Sequence, residues 1–206
     1  MNVLITGGAS GLGEAITRIL AKDSGNTVYF TYKNSEVNAK KLELEFPNAV
    51  SIQCDFGDTD ALKTFTDKII PFDLDVLIHN AYNGAFLKSH FHKIPSDDFL
   101  TDFKENILPV IEITQAVLNG FRKKKQGKII TVLTAALVST PPIGSSVYIA
   151  NKAYLEKLTQ VWANENVKFN ITSNSVSPSF MQTNLTATFD DRILDQMIEN
   201  HPLKKL

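Results

Sequence analysis

Two rhythms of apolar and polar positions alternate along this chain. Short apolar runs of strand length are each followed by a longer stretch whose apolar residues recur at helical spacing. Val3-Leu4-Ile5 comes first, then a glycine-rich turn, then a helix with Ala15, Ile16, Ile19 and Leu20 on one face. Thr27 to Thr31 (TVYFT) is β-branched and aromatic and predicts a second strand. A helix over Val37 to Phe46 is stopped by Pro47 and Asn48. Val50-Ser51-Ile52 is a short strand ending at Cys54-Asp55, and Asp58 caps a helix running to about Ile70, with Pro71 as its stop.

The same alternation continues. Leu74 to His79 predicts a fourth strand. Ser96 or Asp97 caps a helical region running to about Lys125, kinked at Pro109, which has no N–H to donate to Glu105. After Gly127, Lys128 to Thr134 predicts a buried fifth strand, and Ser145 or Ser146 caps a helix to about Asn166. Phe169 to Val176 is a sixth strand, and Asp190 to Glu199 a last, weakly apolar helix. Strand–helix alternation of this kind implies right-handed βαβ units, hence an α/β protein with a doubly wound parallel sheet. No repeat, linker or low-complexity tract interrupts it, so residues 1–206 are expected to form one domain.

Composition narrows the class. Apolar residues make up 43% and charged residues 21%, which argues against disorder. Lysine plus arginine is 21 against 22 for aspartate plus glutamate, so no basic excess points to nucleic acid or to an anionic membrane. The basic run Arg122 to Lys125 reads as a solvated helix end favoured by the dipole. One cysteine, Cys54, excludes an internal disulfide, and MNVLITGG lacks the pattern of a signal peptide; a cytoplasmic protein is the expectation.

Candidate chemistry begins at the first turn. Glycines at 7, 8, 11 and 13 between a strand and a helix allow a tight turn and a close backbone approach to a pyrophosphate, which the helix N-terminus then favours. The spacing Thr6-Gly7-x-x-x-Gly11-x-Gly13 resembles the TGxxxGxG fingerprint of the short-chain dehydrogenase/reductase family. His79-Asn80-Ala81-Tyr82 resembles that family's NNAG segment, keeping only its central Asn-Ala. Asn106 falls where the family has an asparagine in its long middle helix. Tyr148-Ile149-Ala150-Asn151-Lys152 resembles its YxxxK element, and Pro178-Ser179-Phe180 its PG segment. The resemblance implies a Rossmann fold and hydride transfer between a nicotinamide dinucleotide and a carbonyl or alcohol. It assigns cofactor contacts to Gly7, Ser10, Gly11, Leu12, Gly13, Asp55, Asn80, Ala81, Lys152, Pro178 and Thr183, with Asp55 on the adenine.

Tyr148 and Lys152 stand four apart on a predicted helix and share a face. A phenol titrates too high for efficient proton exchange at neutral pH, and a neighbouring ammonium favours the phenolate. Tyr148 is therefore the expected proton donor. By resemblance, Lys152 also holds the nicotinamide ribose and Asn106 a water in a proton relay. The family serine that binds the substrate oxygen commonly precedes the tyrosine by thirteen positions, where this chain has Ala135. A loop longer by one residue puts the Thr134 hydroxyl there, and Ser139 and Ser145 are the other candidates. With no such donor the chain would be a degenerate, nucleotide-binding scaffold or regulator, the alternative to an enzyme.

The second strand ends in Thr31-Tyr32-Lys33-Asn34-Ser35, without the carboxylate that binds the ribose hydroxyls of NAD. Lys33 with the Ser35 hydroxyl can meet a 2′-phosphate, which favours NADP(H) over NAD(H), although Ser10 stands where NADP-preferring relatives often carry arginine. His90 and His92 have no further ligand beside them, so no metal is expected. The stretch from Tyr82 to Pro95 is expected to loop over a substrate cleft, and His79 to lie near the cofactor or to pack. Lys33-Asn34-Ser35 and the final PLKKL loosely resemble the 3-oxoacyl-[acyl-carrier-protein] reductases, which makes a small or carrier-bound 3-oxoacyl thioester a candidate substrate. The resemblance also implies a homodimer or homotetramer through the helices of Asn106 and Ser145, with Ala153, Leu155 and Trp162 as apolar surface. It further implies that the family's C-terminal strand is missing, which leaves strand six as a sheet edge.

Overall fold

Neighbouring side chains of the first strand part company: Leu4 joins one apolar cluster, Val3 and Ile5 another. The computed structural model describes residues 1–181 together with positions 195, 198, 199 and 204. Its strands are β1 (Asn2–Ile5), β2 (Thr27–Tyr32), β3 (Ala49–Gln53), β4 (Val76–His79), β5 (Gly127–Val132) and β6 (Ile171–Val176). Its helices are α1 (Gly11–Ala21), α2 (Glu36–Glu45), α3 (Thr59–Ile69), α4 (Ser96–Asn106), α5 (Leu108–Lys124) and α6 (Ser146–Asn166). The strands are all parallel, in the order β3-β2-β1-β4-β5-β6. The first cluster holds Leu62 and Phe65 of α3, Ile113 and Phe121 of α5, and Leu155 and Trp162 of α6; the second holds Ala21 of α1 and Ala39 and Leu42 of α2. Helices therefore cover both faces, and burying each large side chain is worth about 1.5–3 kcal/mol. This is a doubly wound Rossmann-type sheet, and its order reverses between β1 and β4, the place where such sheets open a crevice.

Several local expectations are corrected. On α1 the buried residues are Gly13, Thr17 and Ala21, while Ala15 and Ile19 are exposed and Ile16 and Leu20 only flank the core. Small residues win the inner face because the helix lies against the glycine turn, where the Thr17 hydroxyl sits 2.9 Å from both the Gly8 and Gly13 carbonyls. Asp58 caps α3 as expected, accepting from the N–H groups of Asp60 and Ala61. Pro95, not Ser96 or Asp97, holds the cap position of α4. The kinked helix is two helices joined at Ile107, because Pro109 fits the first turn of a new helix, where no N–H is needed. Ser145 holds the cap position of α6, but its hydroxyl donates to the Pro142 carbonyl instead. β5 stops at Val132, since Thr134 turns the chain into a 3-10 turn over Ala135–Leu137. Phe169 closes another such turn, so β6 begins only at Ile171.

The basic run is more than a solvated end. Lys124 ties α5 to the start of β4, with Nζ 3.0 Å from the Asp75 carboxylate and 2.7 Å from the Leu74 carbonyl, and Arg122 donates to Asn166 of α6. Leu155 and Trp162 are buried in the chain's own core and offer no surface to a partner; the large exposed apolar residues of α6 are Tyr154 and Val161. Among the described residues β6 pairs with β5 alone, and no helix is long and apolar enough to cross a membrane. Of the expected helix over 190–199, Asp195, Ile198 and Glu199 are helical and the rest lies outside the described residues, as does Thr183.

Candidate active site

A cavity of about 730 Å³ opens along the C-terminal ends of β1, β2, β4 and β5. Its first end is made of backbone. Gly7 and Gly11 adopt left-handed conformations (φ +68° and +53°), which glycine takes without strain. A Cβ on Gly13 would stand 2.0 Å from the Gly7 carbonyl oxygen and 2.5 Å from Asn80 Nδ2, so no other residue lets α1 come this close to the turn. The turn is locked from two sides. Gly7 N–H donates to Thr31 Oγ1 of β2, while Asn80 Nδ2 donates to the carbonyls of Thr6 and Gly7. The N–H groups of Asn80 and Ala81 both donate to Thr6 Oγ1, which ties the end of β4 to the end of β1. Ser10 holds the cap position of α1 with no side-chain cap bond, which leaves the first-turn N–H groups without a helical partner, and Gly11, Leu12 and Gly13 line the cavity. An anion fits there.

Beyond β2 the lining turns to side chains. Lys33 Nζ lies 3.0 Å from Asp55 Oδ1, so the residue expected on a phosphate and the one expected on the adenine hold each other. Asp55 also accepts from the Gly57 N–H, and that bond, with Lys33, keeps its carboxyl below the usual range. Asn34 and Ser35 line the same wall, and Ser35 holds the cap position of α2 without a cap bond. No carboxylate follows Tyr32 directly.

Tyr148 and Lys152 line the other end, both nearly buried. The first turns of α6 carry them side by side. Burial raises the phenol of Tyr148, and the neighbouring Thr134 offsets part of that rise. Thr134 lines the cleft with its hydroxyl oxygen accepting from the Ala136 N–H at 3.3 Å, and the Ala135 N–H is bound to the Pro178 carbonyl at 2.9 Å. Ser145 is turned away onto Pro142, and Ser139 lines the cavity with its hydroxyl on the Ala135 carbonyl. Lys152 donates to the Val132 carbonyl at 2.7 Å, and its Nζ lies 5.7 Å from the Tyr148 ring centroid. Burial brings its pKa down to about 8. The lysine does not lower the phenol as the residue spacing suggested, because its ammonium is turned to the backbone of β5 and burial of the ring prevails.

Asn106 lines the cavity, yet its side chain is committed elsewhere. Its Oδ1 accepts from the Asn83 N–H at 2.7 Å, and its Nδ2 donates to the Asn83 carbonyl and to Asp102. The amide clamps a loop where the resemblance has it hold a relay water. Asp102, which the sequence did not flag, is buried beside it. Asp102 Oδ2 accepts from Tyr82 Oη at 2.9 Å, from Asn151 Nδ2 at 2.7 Å and from Asn106 Nδ2 at 3.1 Å. Tyr82 and Phe86 each meet the Tyr148 ring edge-on, at 4.9 and 4.8 Å. The loop from Tyr82 does cover the cleft, pinned by the Lys88 N–H on the Gly144 carbonyl. A lone aspartate within a polar helix face carries no periodic or motif signal. The one hint was the tyrosine standing where the NNAG segment has glycine.

His79 packs. The Thr114 hydroxyl donates to Val110, so Nε2 of His79 carries the proton of the 2.8 Å contact to Thr114. Burial, reinforced by the charge of Lys152, lowers its pKa to about 3 and keeps the ring neutral. His90 and His92 lie with ring centroids 6.0 Å apart around a 3-10 turn, away from the cleft. Pro178 lines the cleft.

Sheet order, glycine turn and cleft together define a dinucleotide-binding α/β protein. The family model for short chain dehydrogenases matches residues 1–193, and the chain belongs to that family. It is 28% identical to the acetoacetyl-CoA reductase of Cupriavidus necator over 98% of this chain and 83% of that one. It is 27% identical to the 3-oxoacyl-[acyl-carrier-protein] reductase FabG of Thermotoga maritima over 97% of this chain and 82% of that one. A crystal structure of a short chain dehydrogenase from Burkholderia cenocepacia in complex with NADP superposes with a TM-score of 0.79 at 28% identity, over 95% of this chain and 81% of that one. The chain is an NAD(P)H-dependent oxidoreductase of this family.

Proposed function

We propose that the chain reduces the carbonyl of a 3-oxoacyl thioester, small or carrier-bound, to an alcohol with NADPH, with Tyr148 as proton donor. The observation that carries the reading is the Tyr148 phenol in the cleft, with Thr134 lining the same cleft and Lys152 one turn along the same helix. Residues 1–206 act as one nucleotide-binding domain in this reading. Gly7, Ser10, Gly11, Leu12 and Gly13 hold the pyrophosphate, Asn80 and Ala81 support the nicotinamide end with Pro178, and Thr183 adds a contact. Lys152 takes the ribose.

A nicotinamide dinucleotide bound there supplies the hydride. The Thr134 hydroxyl donates a hydrogen bond to the substrate carbonyl oxygen and fixes it beside the phenol. Tyr148 gives its proton to that oxygen as negative charge develops on it. Tyr82 and Phe86 keep bulk water from the tyrosine ring.

Preference for NADPH rests on Lys33 and Ser35 and on the lack of a carboxylate directly after β2. The NADP complex of the Burkholderia relative supports the same choice. A homodimer or homotetramer is proposed through α5 and α6, with Tyr154 and Val161 as its exposed apolar surface. The cytoplasm is proposed as its place on the ground of the single, buried Cys54. NADPH oxidation with a panel of ketones that includes an acetoacetyl thioester tests the reading. Turnover confined to the thioesters supports it. Tight NADPH binding with no turnover on any member of the panel would instead favour a nucleotide-binding scaffold.

A further inference from the structure

Asp102 gathers three elements of the site onto one oxygen. Its Oδ2 takes the hydroxyl of Tyr82 from the loop after β4, the amide of Asn106 from the end of α4, and the amide of Asn151 from α6. Asn151 stands next to Lys152, and three residues after Tyr148. Asn106 passes the hold on to the loop, gripping both the N–H and the carbonyl of Asn83. Tyr82, anchored by its hydroxyl, lays its ring against Tyr148 on one side and 5.5 Å from the Lys152 ammonium on the other. All three partners donate and none accepts, which suits an ionised carboxylate.

A glycine at 82, as in the segment that His79–Tyr82 resembles, would leave Asp102 without its hydroxyl donor and Tyr148 without a ring on that side. Without Tyr82, Asp102 would still hold Asn106 and Asn151 but would no longer reach the loop ring against Tyr148. Asp102 does not line the cleft, and the Tyr82 hydroxyl is directed onto Asp102. Their action on the reaction is indirect, through the orientation of Tyr148 and the register of the first turns of α6.

We propose that Asp102 and Tyr82 form a positioning couple that sets the ring of Tyr148 and the helix carrying Lys152 for proton transfer. The inference rests on the reading of Tyr148 as proton donor. Misplacing a reacting group by an ångström can cost about two orders of magnitude in rate, and loss of one anchor here is expected to cost about tenfold.

The test measures kcat, KM and the dissociation constant of NADPH for Tyr82→Phe, Asp102→Asn and the double variant, with Tyr148→Phe beside them. Expected are falls of about tenfold in kcat for each single variant, with NADPH affinity and substrate KM within about twofold of the parent. The double variant should fall no further than either single one, because both break the same link. A merely structural role would lower the melting temperature and leave kcat, and parental kcat in Tyr82→Phe overturns the proposal. So does a double variant whose losses multiply. If Asp102→Asn fails to fold, Asn151→Ser takes its place in the cycle with Tyr82→Phe and is read the same way. Parental activity in Tyr148→Phe sinks the underlying reading, whereas an inactive Tyr148→Phe beside a parental Tyr82→Phe sinks this inference alone.

Discussion

The two ends of the cleft are held by different means. At the glycine turn nearly every defining contact is made by main chain, and the side chains that help (Thr6, Thr17, Thr31, Asn80) are small and bonded to backbone. At the tyrosine end the defining contacts join side chain to side chain across elements distant in sequence, as between Tyr82 and Asp102 or Asp102 and Asn151. The first end tolerates almost no added atom, since a Cβ at Gly13 would overlap the Gly7 carbonyl. The second depends on hydroxyls, amides and charges. A backbone cradle serves every dinucleotide alike, whereas a side-chain network can be rewired for one substrate. Changes at the tyrosine end should therefore alter rate while cofactor binding survives.

The strongest test of that division is Tyr148→Phe, which keeps the ring wedged between Tyr82 and Phe86 and removes only the hydroxyl. Turnover should fall by about a thousandfold while NADPH binding, read by titration, stays within about twofold. Comparable loss of both would mean that the two ends are not independent.

Lys152 offers the next largest effect, on stability. Its pKa is about 8 in the folded chain against 10.5 when free. Below pH 8 both states hold the proton, and the folded one bears the whole burden of a buried ammonium, about 3 kcal/mol by linkage. Between pH 8 and 10.5 the unfolded chain holds a proton that the folded chain has released, so stability rises with pH across that window. Lys152→Met removes the effect. The stability of the parent relative to this variant, from denaturant unfolding, should climb through the window and level off above it. A flat difference would show that the ammonium is solvated in the fold.

Thr134→Val comes third. It keeps the shape and removes the hydroxyl that meets Tyr148, and turnover should fall by about a hundredfold with NADPH binding intact. Ala135→Ser should change little, because Ala135 opens the 3-10 turn with its N–H fixed on Pro178. A gain in Ala135→Ser together with a silent Thr134→Val would give the donor role to position 135.

The same division explains what could be read from the chain itself. Parallel strands buried on both faces, such as Val3–Ile5, announce themselves as apolar runs, and a glycine turn that works by geometry leaves its spacing in the sequence. Thr134 was legible because it neighbours a position with a known task. The Asp102 hub was not, since its three hydrogen bonds to one oxygen come from residues 20, 49 and 4 positions away, and no local pattern records them. Ile19 misled for a related reason. Its periodicity was helical, but the face that met the sheet was chosen by the need for Gly13 and Thr17 to touch backbone. Leu155 and Trp162 were correctly read as apolar, and their burial inside the chain rather than against a partner is a tertiary fact that periodicity does not contain.

The smallest effect tests the charged pair at the cradle end that faces the cleft. Lys33 Nζ is paired with Asp55 at 3.0 Å, both side chains about two-fifths exposed. An exposed pair of this kind is worth about 0–1 kcal/mol, so turning the ammonium toward a phosphate costs little. The lysine has three N–H donors and can keep one on Asp55 while others meet a 2′-phosphate. Asp55 stays satisfied in either case through the Gly57 N–H. Lys33→Ala should therefore weaken NADPH by about tenfold, the worth of one charge-assisted bond, and leave NADH within about twofold. Raising the salt concentration should shrink the parent's preference and leave the variant's ratio unmoved, since only the parent's preference is electrostatic. An equal loss for both dinucleotides would assign Lys33 to the adenine side of the wall through Asp55. Tighter NADH binding by the parent would remove the basis for NADPH altogether.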